Sequence, residues 1–144
     1  MRPRQAQLYD VTVLAFDGVL HDLNDSGGFA GQHQTPAGEM HAIYLAGQRI
    51  VDLGTLGGSS SCARALNNRG TVVGGALTAG DEHHHAFVYA NGRMRDLNDL
   101  ITDDSCELIY ALGINDRGHI VAIGHCGGTD RVVLLTQRGL RSPP

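Results

Sequence analysis

Apolar residues in this chain come in short runs cut by Asn, Asp and Gly, and they do not settle into the spacing of a helical stripe. The run Leu66-Asn67-Asn68-Arg69-Gly70-Thr71-Val72-Val73-Gly74 returns as Ile114-Asn115-Asp116-Arg117-Gly118-His119-Ile120-Val121-Ala122. A worn copy stands earlier as Leu23-Asn24-Asp25-Ser26-Gly27-Gly28-Phe29-Ala30-Gly31. A second block follows each copy: His41-Ala42-Ile43-Tyr44-Leu45, His85-Ala86-Phe87-Val88-Tyr89 and, more weakly, Arg131-Val132-Val133-Leu134-Leu135. Two blocks in one order, three times over, constitute an internal repeat.

Each first block predicts a β-hairpin. Asn or Asp opens the turn, and Gly27, Gly70 and Gly118 take the left-handed position that closes it. The second block predicts another hairpin, through a type I′ turn at Asn91-Gly92 and a glycine-first type II′ turn at Gly47-Gln48. Four strands per copy make an antiparallel meander. Ile120-Val121-Ala122-Ile123 and Val132-Val133-Leu134-Leu135 lack polar alternation, which predicts cover on both faces and hence sheets packed on one another.

The expected fold class is therefore all-β. A single domain spans 1–144, with repeats at approximately 20–64, 65–110 and 111–144, each a four-stranded antiparallel meander. A pseudo-threefold arrangement is expected, as a prism, a trefoil-like barrel or a propeller-like ring. The third repeat lacks a fourth strand in sequence, so the unpartnered segment Val11–Phe16 is expected to complete it and close the ring. Only the stretch around Asn98–Thr102 is expected to form a helical turn.

At 144 residues the chain can bury a core without staples, and 20 glycines with no tryptophan suit an all-β repeat. The net charge of −4 and scattered Lys and Arg exclude a nucleic-acid footprint and an anionic-membrane anchor. No apolar run reaches the roughly 18 residues of a spanning helix, so no membrane insertion is expected. Tyr9-Asp10 follow the basic N-terminus where an apolar segment would mark a signal peptide, so none is visible; either the chain is cytoplasmic as written or a leader precedes it. Cys62, Cys106 and Cys126 contain no CxxC pair and allow at most one disulfide; free, half-buried thiols are the default reading.

Candidate chemistry is sparse. His83-His84-His85 follows Asp81-Glu82, and imidazoles with carboxylates hold zinc, nickel or copper. Alternate strand residues share a face, so His83 and His85 are the pair able to converge. His125 and Cys126 lie in the analogous connection of the third repeat. A polar inter-hairpin loop is the default reading of these residues, and His85 recurs as His41, so no metal or cofactor is assigned. Cys126 with His119 or His125 lacks a third group to orient a base, so no catalytic residue is assigned either. Asp103-Asp104 fit no calcium-loop spacing. Asp22, Asp52 and Asp96, like Asn24, Asn67 and Asn115, recur and read as structural. Function is therefore sought where the copies differ, in loops 32–40, 78–84, 98–109 and 124–130.

These blocks resemble the bacterial HAF family of probable extracellular repeats, named for a run that stands here as His85-Ala86-Phe87. The stretches Asp52-Leu53-Gly54-Thr55-Leu56-Gly57-Gly58-Ser59 and Ala111-Leu112-Gly113-Ile114-Asn115-Asp116-Arg117-Gly118 are similar to the family pattern as well. His41-Ala42-Ile43 and Arg131-Val132-Val133 depart from it. The resemblance implies an extracellular or cell-surface β-repeat protein and names no reaction. The expectation is a monomeric, non-enzymatic surface or secreted module for an unknown extracellular ligand, carbohydrate or protein. One alternative is a metal-binding protein or enzyme using the His83–His85 loop with His125 and Cys126. Another is a repeat that self-associates through exposed sheet edges.

Overall fold

The computed structural model describes residues 5–138, which form eleven strands in three antiparallel sheets. Sheet one holds β1 (Val19–Leu23), β2 (Gly28–Gln34), β3 (Met40–Ala46) and β4 (Arg49–Asp52) in chain order. Sheet two holds β5 (Gly57–Leu66), β6 (Val72–Thr78), β7 (His84–Ala90) and β8 (Arg93–Asp96), and sheet three holds β9 (Cys106–Ile114), β10 (Ile120–Cys126) and β11 (Thr129–Leu135). The expected repeat boundaries at 64/65 and 110/111 cut through β5 and β9. Because each Asn-turn joins two arms of one hairpin, the arm before the turn belongs to the same sheet as the arm after it.

The turns follow from their residues. Gly27, Gly70 and Gly118 have φ of 82°, 79° and 78°, and each donates its N–H to the carbonyl of the Asn that opens its turn. Each of those Asn side chains also accepts from the backbone beyond: Asn67 Oδ1 takes Arg69 N and Thr71 N, both at 3.0 Å. Asn91 and Gly92 are both left-handed, with φ of 54° and 77°, as a type I′ turn requires.

The same Asn residues join the sheets. Asn24 Nδ2 donates to the Asn67 carbonyl and Asn67 Nδ2 to the Asn115 carbonyl, both at 3.1 Å. One residue further, Asp25 N donates to Asn68 Oδ1 at 2.7 Å and Asn68 N to Asp116 Oδ1 at 2.8 Å. The Asn68 amide then bridges the carboxylates of Asp25 and Asp116, at 2.9 Å each. Around this ladder the sheets stack in chain order, β5 lying against β1, β2 and β3, and β9 against β5, β6 and β7. One apolar layer, with Ala30, Ala42, Ala63, Val72 and Phe87, fills the first interface; Val73, Ala86, Leu108, Ile120 and Ala122 fill the second. Small residues permit the close approach: a Cβ on Gly75 would stand 2.6 Å from the Tyr110 ring.

Two expectations fail. The segment Val11–Phe16 forms no strand: Val11 and Val13 are 91% and 90% exposed, and sheet three has three strands among the described residues. Sheet two lies between sheets one and three, so the segment leading into sheet one does not meet the free edge of β11, and the sheets form no closed barrel. The expected cover on both faces also fails in sheet three. Its cross-strand pairs Val121/Leu134 and Ile123/Val132 match Val73/Val88 and Gly75/Ala86 of sheet two. Val73 and Ala86 are fully buried against sheet three, whereas Val132 and Leu134 remain 72% and 62% exposed, because no later sheet lies on them among the described residues.

Candidate functional site

Two of the four loops that differ among the copies, 78–84 and 98–109, meet between sheets two and three. There a cavity of about 430 Å³ is walled by His83 and His85 on one side, by Cys106 and Glu107 at the start of β9 on another, and by Asn98 and residues 101–104 over the top. A short 3-10 turn, Leu97–Asp99, starts that covering segment, where a helical turn was expected. Its Asn98 side chain spans the gap to β9, accepting from Leu108 N at 2.7 Å and donating to Leu108 O at 2.9 Å. Ser105 donates from N and Oγ to Asp103 Oδ1, at 2.9 and 2.6 Å, and these bonds hold the Asp103 carboxyl below the usual carboxylate range.

Strand alternation sorts the three histidines. His83 and His85 share a face, their rings stacked at 5.7 Å between centroids. His84 points to the other side, onto the Tyr110 ring at 4.1 Å, with Nδ1 3.3 Å from the Ile109 carbonyl. Burial pushes His84 below the ordinary histidine value, against the pull of that carbonyl.

His85 is clamped between two carboxylates. Its Nδ1 lies 2.6 Å from Asp96 Oδ2, and its Nε2 lies 3.0 Å from Glu107 Oε1. The other Asp96 oxygen accepts from Asn98 N at 2.8 Å and Asn98 Nδ2 at 3.0 Å, which fixes the carboxylate in place. Burial opposes charge on the His85 ring, but Asp96 and then Glu107 outweigh it and raise the imidazole above its ordinary value. His83 Nδ1 stands 3.6 Å from the same Glu107 oxygen. One ligand atom from each of His83, His85 and Glu107 thus fits within 4.8 Å of the others.

Of the four residues singled out in the sequence, the structure brings together His83 and His85. Cys126 is bonded to Cys106, its Cα partner across β9 and β10, so it offers no thiolate for a metal or for nucleophilic attack. His125 lies opposite Glu107 in register, but its Nδ1 turns to Asp130 at 2.8 Å. Cys62 is the free thiol, half-buried, with burial raising its pKa against the pull of Arg64. Glu107 was missed because no spacing links it to the histidines. Asp96 left a signal in the repeat: His41 Nδ1 binds Asp52 at 3.0 Å, in the same relation as His85 to Asp96.

No protein-family model, curated protein or solved structure matches this chain. Among the described residues no helix is long and apolar enough to cross a membrane.

Proposed function

We propose that this chain is a non-catalytic β-repeat binding module that works outside the cytoplasm and takes its ligand in the cleft between sheets two and three. The observation that carries this reading is the convergence of loops 78–84 and 98–109, which break the repeat, on one cavity. A scaffold whose recurring Asn and Asp residues are consumed in joining sheets leaves those loops as its variable surface. The Cys106–Cys126 disulfide supports an oxidising compartment, in keeping with the extracellular location implied by the HAF-like blocks. The same Asn-to-carbonyl bond joins sheet one to sheet two and sheet two to sheet three, which supports one repeated relation between neighbouring sheets, in keeping with a propeller-like arrangement.

The cleft presents Asp103, Asp104 and Glu107 beside two imidazoles, and none of the residues lining it is Phe, Tyr or Trp. Such walls favour a cationic ligand, such as a basic stretch of a protein, over a sugar stacked on an aromatic face. Titrating the isotopically labelled chain with lysine- and arginine-rich peptides tests this by nuclear magnetic resonance. Shifts concentrated in residues 83–85 and 98–107 are expected. Shifts confined to sheet one or to the outer face of sheet three, or none at all, refute the reading.

A further inference from the structure

We propose that His83, His85 and Glu107 bind one divalent cation of the zinc type, an inference that rests on the cleft being the ligand site of this chain. Two imidazoles and one carboxylate are an established donor set for zinc, with a fourth position left to water or to a ligand. The distances suit it. In a tetrahedron with bonds of about 2.0–2.1 Å the ligand atoms stand about 3.3–3.4 Å apart. Glu107 Oε1 is 3.0 Å from His85 Nε2 and 3.6 Å from His83 Nδ1, and one ligand atom from each of the three lies within 4.8 Å of the others, so a cation seated among them draws the side chains together over a short distance.

The surroundings are those of a metal-binding histidine. Asp96 accepts from His85 Nδ1, the partner a metal-ligating imidazole needs, so Nε2, which bonds Glu107 when no ion is bound, is the nitrogen a cation would take in place of that proton. Asp96 is in turn held by Asn98, the residue that ties the covering segment to β9. The Cys106–Cys126 bond sits beside Glu107 and steadies the start of its strand. His83 is 60% exposed in its side chain, so a cation has a path in from solvent.

Sheet one supplies an internal comparison. His41 has Asp52 on Nδ1 at 3.0 Å and Glu39 on Nε2 at 3.3 Å, so the histidine–carboxylate pair alone is a device of the repeat. There the two carboxylates flank the ring on opposite sides and cannot converge on one ion. Sheet two differs in placing a second imidazole, His83, where sheet one has Glu39, and in meeting a carboxylate from the next sheet. Those two changes turn a structural pair into a three-donor site.

The test uses the full, tag-free chain with its disulfide intact, titrated with Zn²⁺ by calorimetry and with Co²⁺ by visible absorption. One equivalent should bind saturably, with the intense absorption of four-coordinate cobalt. His83→Ala and Glu107→Gln should each weaken binding about tenfold or more while leaving the circular dichroism unchanged. His41→Ala and His125→Ala should bind as the parent does. Absence of saturable binding, retention of affinity in both His83→Ala and Glu107→Gln, or an equal loss in His41→Ala overturns the site. If cations fail but basic peptides still shift residues 83–85 and 98–107, the metal inference falls and the binding-module reading stands; if neither shifts them, both fall.

Discussion

Replacing Asn67 by Asp separates the two tasks of the recurring asparagine. The carboxylate keeps the acceptor oxygen that takes Arg69 N and Thr71 N, so the turn itself survives. What it loses is the amide that donates to the Asn115 carbonyl across the sheet interface. Asn67 is 5% exposed, so the new oxygen faces that carbonyl with little water to separate them. A lost hydrogen bond costs about 1 kcal/mol. The Asn115 carbonyl keeps the Gly118 N–H, so the further cost, about 1–3 kcal/mol, is that of the new carboxylate oxygen left unpaired at the buried position, and the substitution should destabilise the chain by about 2–4 kcal/mol. Asn115→Asp is the control. Its side chain likewise caps its turn, accepting from Arg117 N and His119 N at 3.0 and 2.9 Å, but no further sheet follows it among the described residues. That change should cost less than about 1 kcal/mol. Urea unfolding followed by circular dichroism, with the disulfide intact, measures both. The Asn67→Asp deficit should also shrink as pH falls, because a protonated carboxyl again donates toward the Asn115 carbonyl. Equal costs at the two positions would show that the asparagines act only within their own turns and that the inter-sheet ladder contributes nothing.

Other predictions follow from burial and charge. Phe87→Ala empties a fully buried position in the first interface and should cost about 3–5 kcal/mol, whereas Leu134→Ala on the 62%-exposed outer face should cost less than about 1 kcal/mol; comparable losses would mean that the outer face is covered in solution. Reducing the Cys106–Cys126 bond, which closes a loop of sequence separation 20, should remove about 3 kcal/mol, read as a lowered melting temperature in reductant. The Asp116 carboxyl is held below its ordinary value first by Asn68 N–H and then by the Asn68 amide. Its folded form is thus the more acidic, so the stability it adds is present above the unfolded value of about 3.9 and is lost as pH falls through the lower folded value. Asp116→Asn should therefore weaken the chain at neutral pH and converge with the parent in acid; a constant difference across that range would contradict the assignment.

Turn chemistry is local, and it is the part of this protein that its sequence determined alone. Asn67 to Thr71, Asn115 to His119 and Asn91-Gly92 carry within five residues every atom needed to reverse the chain, so the hairpins and the all-β class were legible before any packing was known. Recurrence also marked Asn24, Asn67 and Asn115 as structural, and it hinted at the Asp96 partner of His85 through His41 and Asp52. The loops that break the repeat pointed to the neighbourhood of the cleft.

The rest depends on which surfaces meet. Glu107 reaches His83 and His85 because β9 crosses sheet two, and Cys126 finds Cys106 through the register of β9 with β10; neither follows from spacing along the chain. The same stacking left Val132 and Leu134 in solvent although their composition matched buried strands, and it put the free edge of sheet three out of reach of Val11–Phe16. Hydrogen bonds within a turn are settled by neighbours in sequence. A site between sheets, and the face a sheet hides, are settled by the apolar area and small side chains that let one sheet settle on the next.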